Sequence, residues 1–141
     1  MRQRRFLELD VFADAPGRGN PLAVVADAED LDTPTMQAIA AWLNLSETTF
    51  VLRATQPGAD YRVRIFTPRQ ELPFAGHPSV GAAHAVLELG LAAHCGGRLV
   101  QECGAGLLPI AVSGQGSQSR IHVRAPRGVE RSADASTVLP S

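Results

Sequence analysis

Two short stretches hold the residues best suited to moving a proton on a small anionic molecule. The first is Asn44-Leu45-Ser46-Glu47-Thr48-Thr49, where one carboxylate stands among hydroxyls at a helix-to-strand junction. Taken alone, Glu47 reads as a solvated loop charge. The second is Leu72-Pro73-Phe74-Ala75-Gly76-His77-Pro78-Ser79, which leads into a helix. The N–H groups of a first helical turn lack intrahelical partners and carry the positive end of the helix dipole. Such a terminus suits a substrate carboxylate. Gly76 removes the Cβ that would block close approach. His77 by itself reads more readily as a satisfied structural histidine. Together the two stretches suit abstraction of a proton next to a carboxylate, which needs a base and neutralisation of the developing charge. Glu47 is the candidate base, the helix terminus the stabiliser, and His77 a donor of a hydrogen bond or a proton.

The remaining candidates are weaker. Gly104-Ala105-Gly106 and Gly114-Gln115-Gly116 lack the further glycines and the strand–helix setting of a phosphate or dinucleotide loop. His84 falls within an apolar helix, His94 adjoins Cys95, and His122 sits in a strand, so they form no ligand spacing and no metal is expected. Cys95 and Cys103 fit neither CxxC nor zinc spacing and read as small, partly buried, reduced side chains. No GxSxG nucleophile motif is present.

These residues must be positioned by the elements around them. Residues 6–12 alternate apolar and polar, the period of a half-buried strand, and 21–25 (PLAVV) reads as a second strand after a loop with Pro16, Gly17 and Gly19. Asp32 or Thr33, followed by Pro34, starts a helix that presents Met36, Ile39 and Leu43 on one face and ends near Asn44. Strands follow at 48–52 and 61–67. In the latter, Tyr61, Val63 and Ile65 oppose Arg62 and Arg64. From Pro78 to Leu91 the chain is apolar or small on nearly every face, which predicts a buried helix with Gly90 just past its end. Strand-like runs return at 98–103, 107–112 and 120–125, the last two joined by the turn Ser113–Ser117. From Gly128 to Ser141 the residues are polar and small, as in a linker or loose end. Short strands around one apolar helix predict an α+β domain with a curled antiparallel sheet.

The bulk properties agree with a compact domain. The chain has 141 residues, 45% of them hydrophobic and 19% charged, enough for a core and too little charge for a disordered tail. Its net charge of −1 carries no basic patch, so nucleic acid is not an expected partner. The basic Met1–Arg5 start is followed by Glu8 and Asp10 rather than a long apolar run. No signal peptide or membrane span is predicted, and the expected location is cytoplasmic.

Four segments bear a resemblance to the phenazine-biosynthesis (PhzF-like) isomerase family. They are Leu9–Phe12 with Gly19–Val25, Asn44–Val51, Arg64–Pro68 with Glu71–Pro78, and Gln101–Gly106. They fall in family order and cover about residues 6–126. The resemblance implies a diaminopimelate-epimerase-like half, an antiparallel β-barrel wrapped around a central apolar helix. It implies a PhzF-like N-terminal domain over 1–126, with 127–141 a polar tail or the start of an interdomain linker. It also implies cofactor-independent isomerase chemistry. The family's acid/base glutamate falls on Glu47 and its Gly-His pair on Gly76 and His77. Asn20, Ser46, Pro78 and Ser79 fall beside the substrate pocket. Related racemases use a pair of cysteines; Ala75 stands where they carry the first thiol, which disfavours a two-thiol mechanism. Family members are longer, with a pseudo-symmetric second half that supplies an aspartate and further pocket residues. The expectation is therefore an active cleft completed by a homodimer or by a partner chain, acting on a small carboxylate-bearing substrate. The sequence read alone leaves the alternative of a non-catalytic, small-molecule-binding or dimerising module.

Overall fold

The computed structural model describes residues 3–11, 19–114 and 120–124, and the backbone of 132–135 and 138–140. Phe6–Val11 (β1) and Asn20–Val25 (β2) pair antiparallel, and helix α1 (Thr33–Leu43) follows. Asp32 is the N-cap: its carboxylate accepts from the Thr35 N–H at 2.9 Å, and the Thr35 side chain and N–H together hold the carboxyl below its ordinary range. Pro34 sits in the first turn, and Asn44 closes the helix in the left-handed region at φ 54°. Next come Glu47–Leu52 (β3), Tyr61–Phe66 (β4) and the short Glu71–Leu72 (β5), then helix α2 (Gly76–Glu88). The chain continues through Arg98–Cys103 (β6), Gly106–Ser113 (β7), Arg120–Arg124 (β8), Ser132–Ala135 (β9) and Val138–Pro140 (β10).

All ten strands belong to one sheet in the order β10-β1-β2-β3-β4-β6-β7-β8-β9, with β5 attached to β4. The sheet is mixed, which corrects the purely antiparallel expectation: β2 pairs β3, and β4 pairs β6, in parallel. Parallel neighbours need a long return connection, and the two helices supply it, α1 between β2 and β3, α2 between β4 and β6. The result is a mixed half-barrel with two helices.

Two cores lie on opposite faces of the sheet. Val25, Met36, Ala40, Phe50 and Phe66 pack under α1, the two phenylalanine rings meeting edge-on at 5.5 Å. The larger core holds α2, whose residues Pro78–Ala83, Ala85 and Val86 are buried. Strands from both ends of the sheet, β1 to β4 and β8 and β9, reach this helix. Its small residues allow that approach. A Cβ at Gly81 would stand 2.2 Å from the Cδ2 of Leu22 and 3.2 Å from the Cγ2 of Val11. The helix ends at Leu89, with Gly90 beyond it at φ 70°.

The stretch read as a polar tail carries β9 and β10, whose backbones pair with β8 and β1. Strands at a sheet's edge present unpaired N–H and C=O groups that favour such pairing over any side-chain preference. The loop around Pro16 and Gly17, and most of the Ser113–Ser117 turn, lie outside the described residues.

Candidate active site

Side chains alternate across a strand, so register fixes which residues share a face. Leu22 pairs with Leu9 on β1 and with Glu47 on β3. Leu22 packs against Gly81, so the face carrying Leu22 and Glu47 is the one that α2 covers. Asn20 lies on that same face of β2, one side-chain repeat beyond Leu22. His77 precedes Gly81 by about one helical turn and so projects from the same side of α2.

The outcome is a close pair. The Nε2 of His77 lies 2.9 Å from the Oε2 of Glu47, each side chain 16% exposed. The imidazole edge and the carboxylate therefore stand at ion-pair distance, though Nε2 and Oε2 are not aligned as a hydrogen bond. One partner thus comes from a strand and the other from the first turn of a helix.

Residues around the pair differ in access. Asn20 and Ser46 are exposed, and Gly76 is partly exposed at the helix start. Pro78 and Ser79 are buried. The Ser79 hydroxyl is engaged inside the protein: it donates to the Ala75 carbonyl at 2.8 Å and accepts from the Gln101 side-chain amide at 3.0 Å. Gln101 in turn accepts from the Tyr61 hydroxyl at 3.2 Å. Ala75, the N-cap of α2, provides no side-chain capping bond.

A second carboxylate, Glu102 on β6, is buried and saturated with donors. It accepts from the Thr55 N–H at 2.7 Å, the Gln56 N–H at 3.0 Å and the Thr55 hydroxyl, and Arg62 stands 3.6 Å away. Burial acts to raise its pKa, but the bonds from Thr55 and Gln56 and the Arg62 charge hold it below the ordinary carboxylate range. Cys103 beside it is buried, and burial pushes its thiol up; Cys95 is exposed. His84 pairs with Glu88 at 3.0 Å, one turn away on α2. Among the described residues no three of His, Cys, Asp and Glu converge as metal ligands, and no helix is long and apolar enough to cross a membrane.

The arrangement of strands, helices and motifs has known counterparts. Residues 9–138 match the family described as phenazine biosynthesis-like protein. The chain belongs to the phenazine biosynthesis-like family. It is 49% identical over 115 residues to antisense-enhancing sequence 1 of Schizosaccharomyces pombe, covering 82% of this chain and 39% of that protein. It is 55% identical over 82 residues to the trans-2,3-dihydro-3-hydroxyanthranilate isomerase of Pseudomonas aeruginosa, covering 58% of this chain and 29% of the enzyme. The crystal structure of a PhzF-family protein of Bacillus anthracis superposes with a TM-score of 0.77 at 36% identity, covering 88% of this chain and 41% of that one. A hydroxyproline epimerase of Agrobacterium vitis shares the fold, with a TM-score of 0.61 at 16% identity. The chain thus spans less than half the length of each of these proteins, of which the Pseudomonas aeruginosa relative is named an isomerase.

Within this phenazine biosynthesis-like chain, sequence reasoning passed over Tyr61 and Gln101, whose buried side chains bond toward Ser79 behind the start of α2. They are register partners on the parallel β4–β6 pair, which no local pattern reveals. A weaker signal did exist. Gln101 falls at an inward position between Leu99 and Cys103, where an amide must find partners.

Proposed function

We propose that this chain forms one half of a cofactor-independent isomerase cleft, with Glu47 as the acid/base that moves a proton on a small carboxylate-bearing substrate. In this reading a C–H bond next to the substrate's conjugated system breaks and an O–H bond forms on Glu47. The electron pair shifts through the double bonds, and Glu47 returns the proton to a different carbon. His77 holds Glu47 through its Nε2 and donates a hydrogen bond as charge develops. The backbone N–H groups at the start of α2, opened by Gly76, hold the carboxylate, and Asn20 and Ser46 border the pocket. Pro78 and Ser79 shape the first turn from behind. The sheet serves as a barrel with α2 as its central helix. A second half, from a second copy or a partner chain, closes the cleft and excludes water.

The observation that carries this reading is the 2.9 Å approach of Glu47 and His77 at the mouth of α2. Named relatives favour an isomerase, and the Pseudomonas aeruginosa enzyme suggests the substrate class: a ring bearing a carboxylate with unsaturation beside it. The test is incubation of the chain with trans-2,3-dihydro-3-hydroxyanthranilate in deuterated buffer, followed by mass spectrometry, with light scattering on the same sample. Deuterium entering the ring, from a species at least dimeric, is the expected result. A monomer that exchanges no proton across a panel of cyclic and acyclic carboxylates favours the binding-module reading and overturns the catalytic one.

A further inference from the structure

The start of α2 is held in an unusual way. Helices commonly begin with Ser, Thr, Asp or Asn, whose side chain bonds the N–H groups of the first turn. Ala75 at this position has no such group. A capping side chain would occupy the space in front of those N–H groups, where a substrate carboxylate is proposed to sit. Replacing a capping residue by Ala weakens ordinary helices, so the turn is expected to be anchored elsewhere.

A line of three buried side chains meets that need from behind. The Tyr61 hydroxyl donates to the Gln101 Oε1 at 3.2 Å, the Gln101 Nε2 donates to the Ser79 Oγ at 3.0 Å, and the Ser79 hydroxyl donates to the Ala75 carbonyl at 2.8 Å. All three residues are at most 2% exposed. Every donor points the same way, toward the N-cap, and such chains polarise one another in a low-dielectric interior. The line crosses from β4 through β6 to α2 and ends two residues before His77. The bend after β5 is braced as well: the Ala105 N–H donates to the Pro73 carbonyl at 3.2 Å.

We infer that Tyr61, Gln101 and Ser79 are positioning residues: they replace the missing cap from the core side, so that the first turn of α2 stays rigid while its outward N–H groups remain open for an anion. The inference rests on the proposed site for its purpose, but its geometry is testable without any substrate. Ser79 acts through Ala75, and Gln101 and Tyr61 act through Ser79.

Backbone hydrogen exchange by NMR separates this role from general stabilisation. In Ser79→Ala and Gln101→Leu, exchange is expected to rise tenfold or more at the amide of residue 79, which donates to the Ala75 carbonyl at 3.3 Å, while Leu87, at the far end of α2, and Ile110 on β7 keep their rates. The His77 imidazole nitrogen resonances are expected to move in the same variants. Tyr61→Phe removes one oxygen at the far end and should give a smaller rise with the same selectivity; it decides the matter if the other two fail to fold. A uniform rise along α2, or no rise at the first turn, overturns the inference. Turnover tests the catalytic purpose separately. If deuterium enters the substrate, the variants are expected to lower kcat more than they raise KM. Selective amide exchange without turnover retains the positioning role and sinks the catalytic reading alone.

Discussion

Glu47 and Glu102 lie on strands of one sheet, and both are largely withdrawn from water, with side chains 16% and 6% exposed. Their surroundings differ in kind. Glu102 is surrounded by donors from Thr55 and Gln56 and by the Arg62 charge, so its ionised form is fully used by the fold. Among the described residues, Glu47 has one ion-pair partner, His77, at the start of α2. A carboxylate bonded on several sides stabilises a loop and cannot change protonation without losing those bonds. One that meets a single charged partner beside an accessible surface is left free of that structural demand. Under the proposed function, the contrast gives Glu102 a structural role and Glu47 the chemistry.

The largest expected effect breaks the contrast on the side of activity. Glu47→Gln should lower proton exchange into substrate by about 10²–10⁴-fold, the usual contribution of a positioned acid/base. Glu102→Gln, assayed at a temperature where it remains folded, should stay within about threefold of the unmutated chain. Deuterium incorporation followed by mass spectrometry reads both.

Stability should show the reverse order. Glu102→Gln removes charge-assisted acceptors from two N–H groups and a hydroxyl, and should cost about 2–3 kcal/mol in urea unfolding. Glu47→Gln should cost less than about 1 kcal/mol, since it weakens one ion pair at a partly exposed site. The pH dependence sharpens the difference. The folded pKa of Glu102 lies below its unfolded value, so its stabilisation is complete above the ordinary carboxylate range and is lost as pH falls through the folded value. Urea midpoints from pH 7 down to pH 3 should therefore fall less steeply for Glu102→Gln than for the unmutated chain.

A smaller effect separates the two faces by packing. Gly81→Ala places a methyl 2.2 Å from Leu22 beside Glu47, and should destabilise the chain by about 1–3 kcal/mol. Amide protection at Thr55 and Gln56, next to Glu102, should remain relative to the new global stability, while that of the first turn of α2 falls.

Much of the frame was legible in the sequence because periodicity and punctuation are local. Asp32 with Pro34, Asn44, the alternation from Tyr61 to Ile65, and the all-round apolar face from Pro78 onward each announce an element that the structure contains. The candidate site was legible as two segments, and the structure brings Glu47 and His77 of those segments together. Features set by long-range pairing were not legible. The parallel β2–β3 and β4–β6 pairs follow from how helices return the chain, and the sequence reading made the sheet antiparallel. The strands after Arg131 pair through their backbones, so small polar side chains there read as a tail. Gln101 reads as one polar residue in a strand until its register with Tyr61 and its bond to Ser79 are known.

The coupling of Glu47 to His77 can be measured directly without substrate, partner or second half. The measurement is the ¹⁵N spectrum of the His77 imidazole in the unmutated chain, in Glu47→Gln and in Glu102→Gln. The expected result is an Nε2 signal that shifts in Glu47→Gln and stays in place in Glu102→Gln. An Nε2 resonance identical in all three proteins would contradict a shared site for Glu47 and His77.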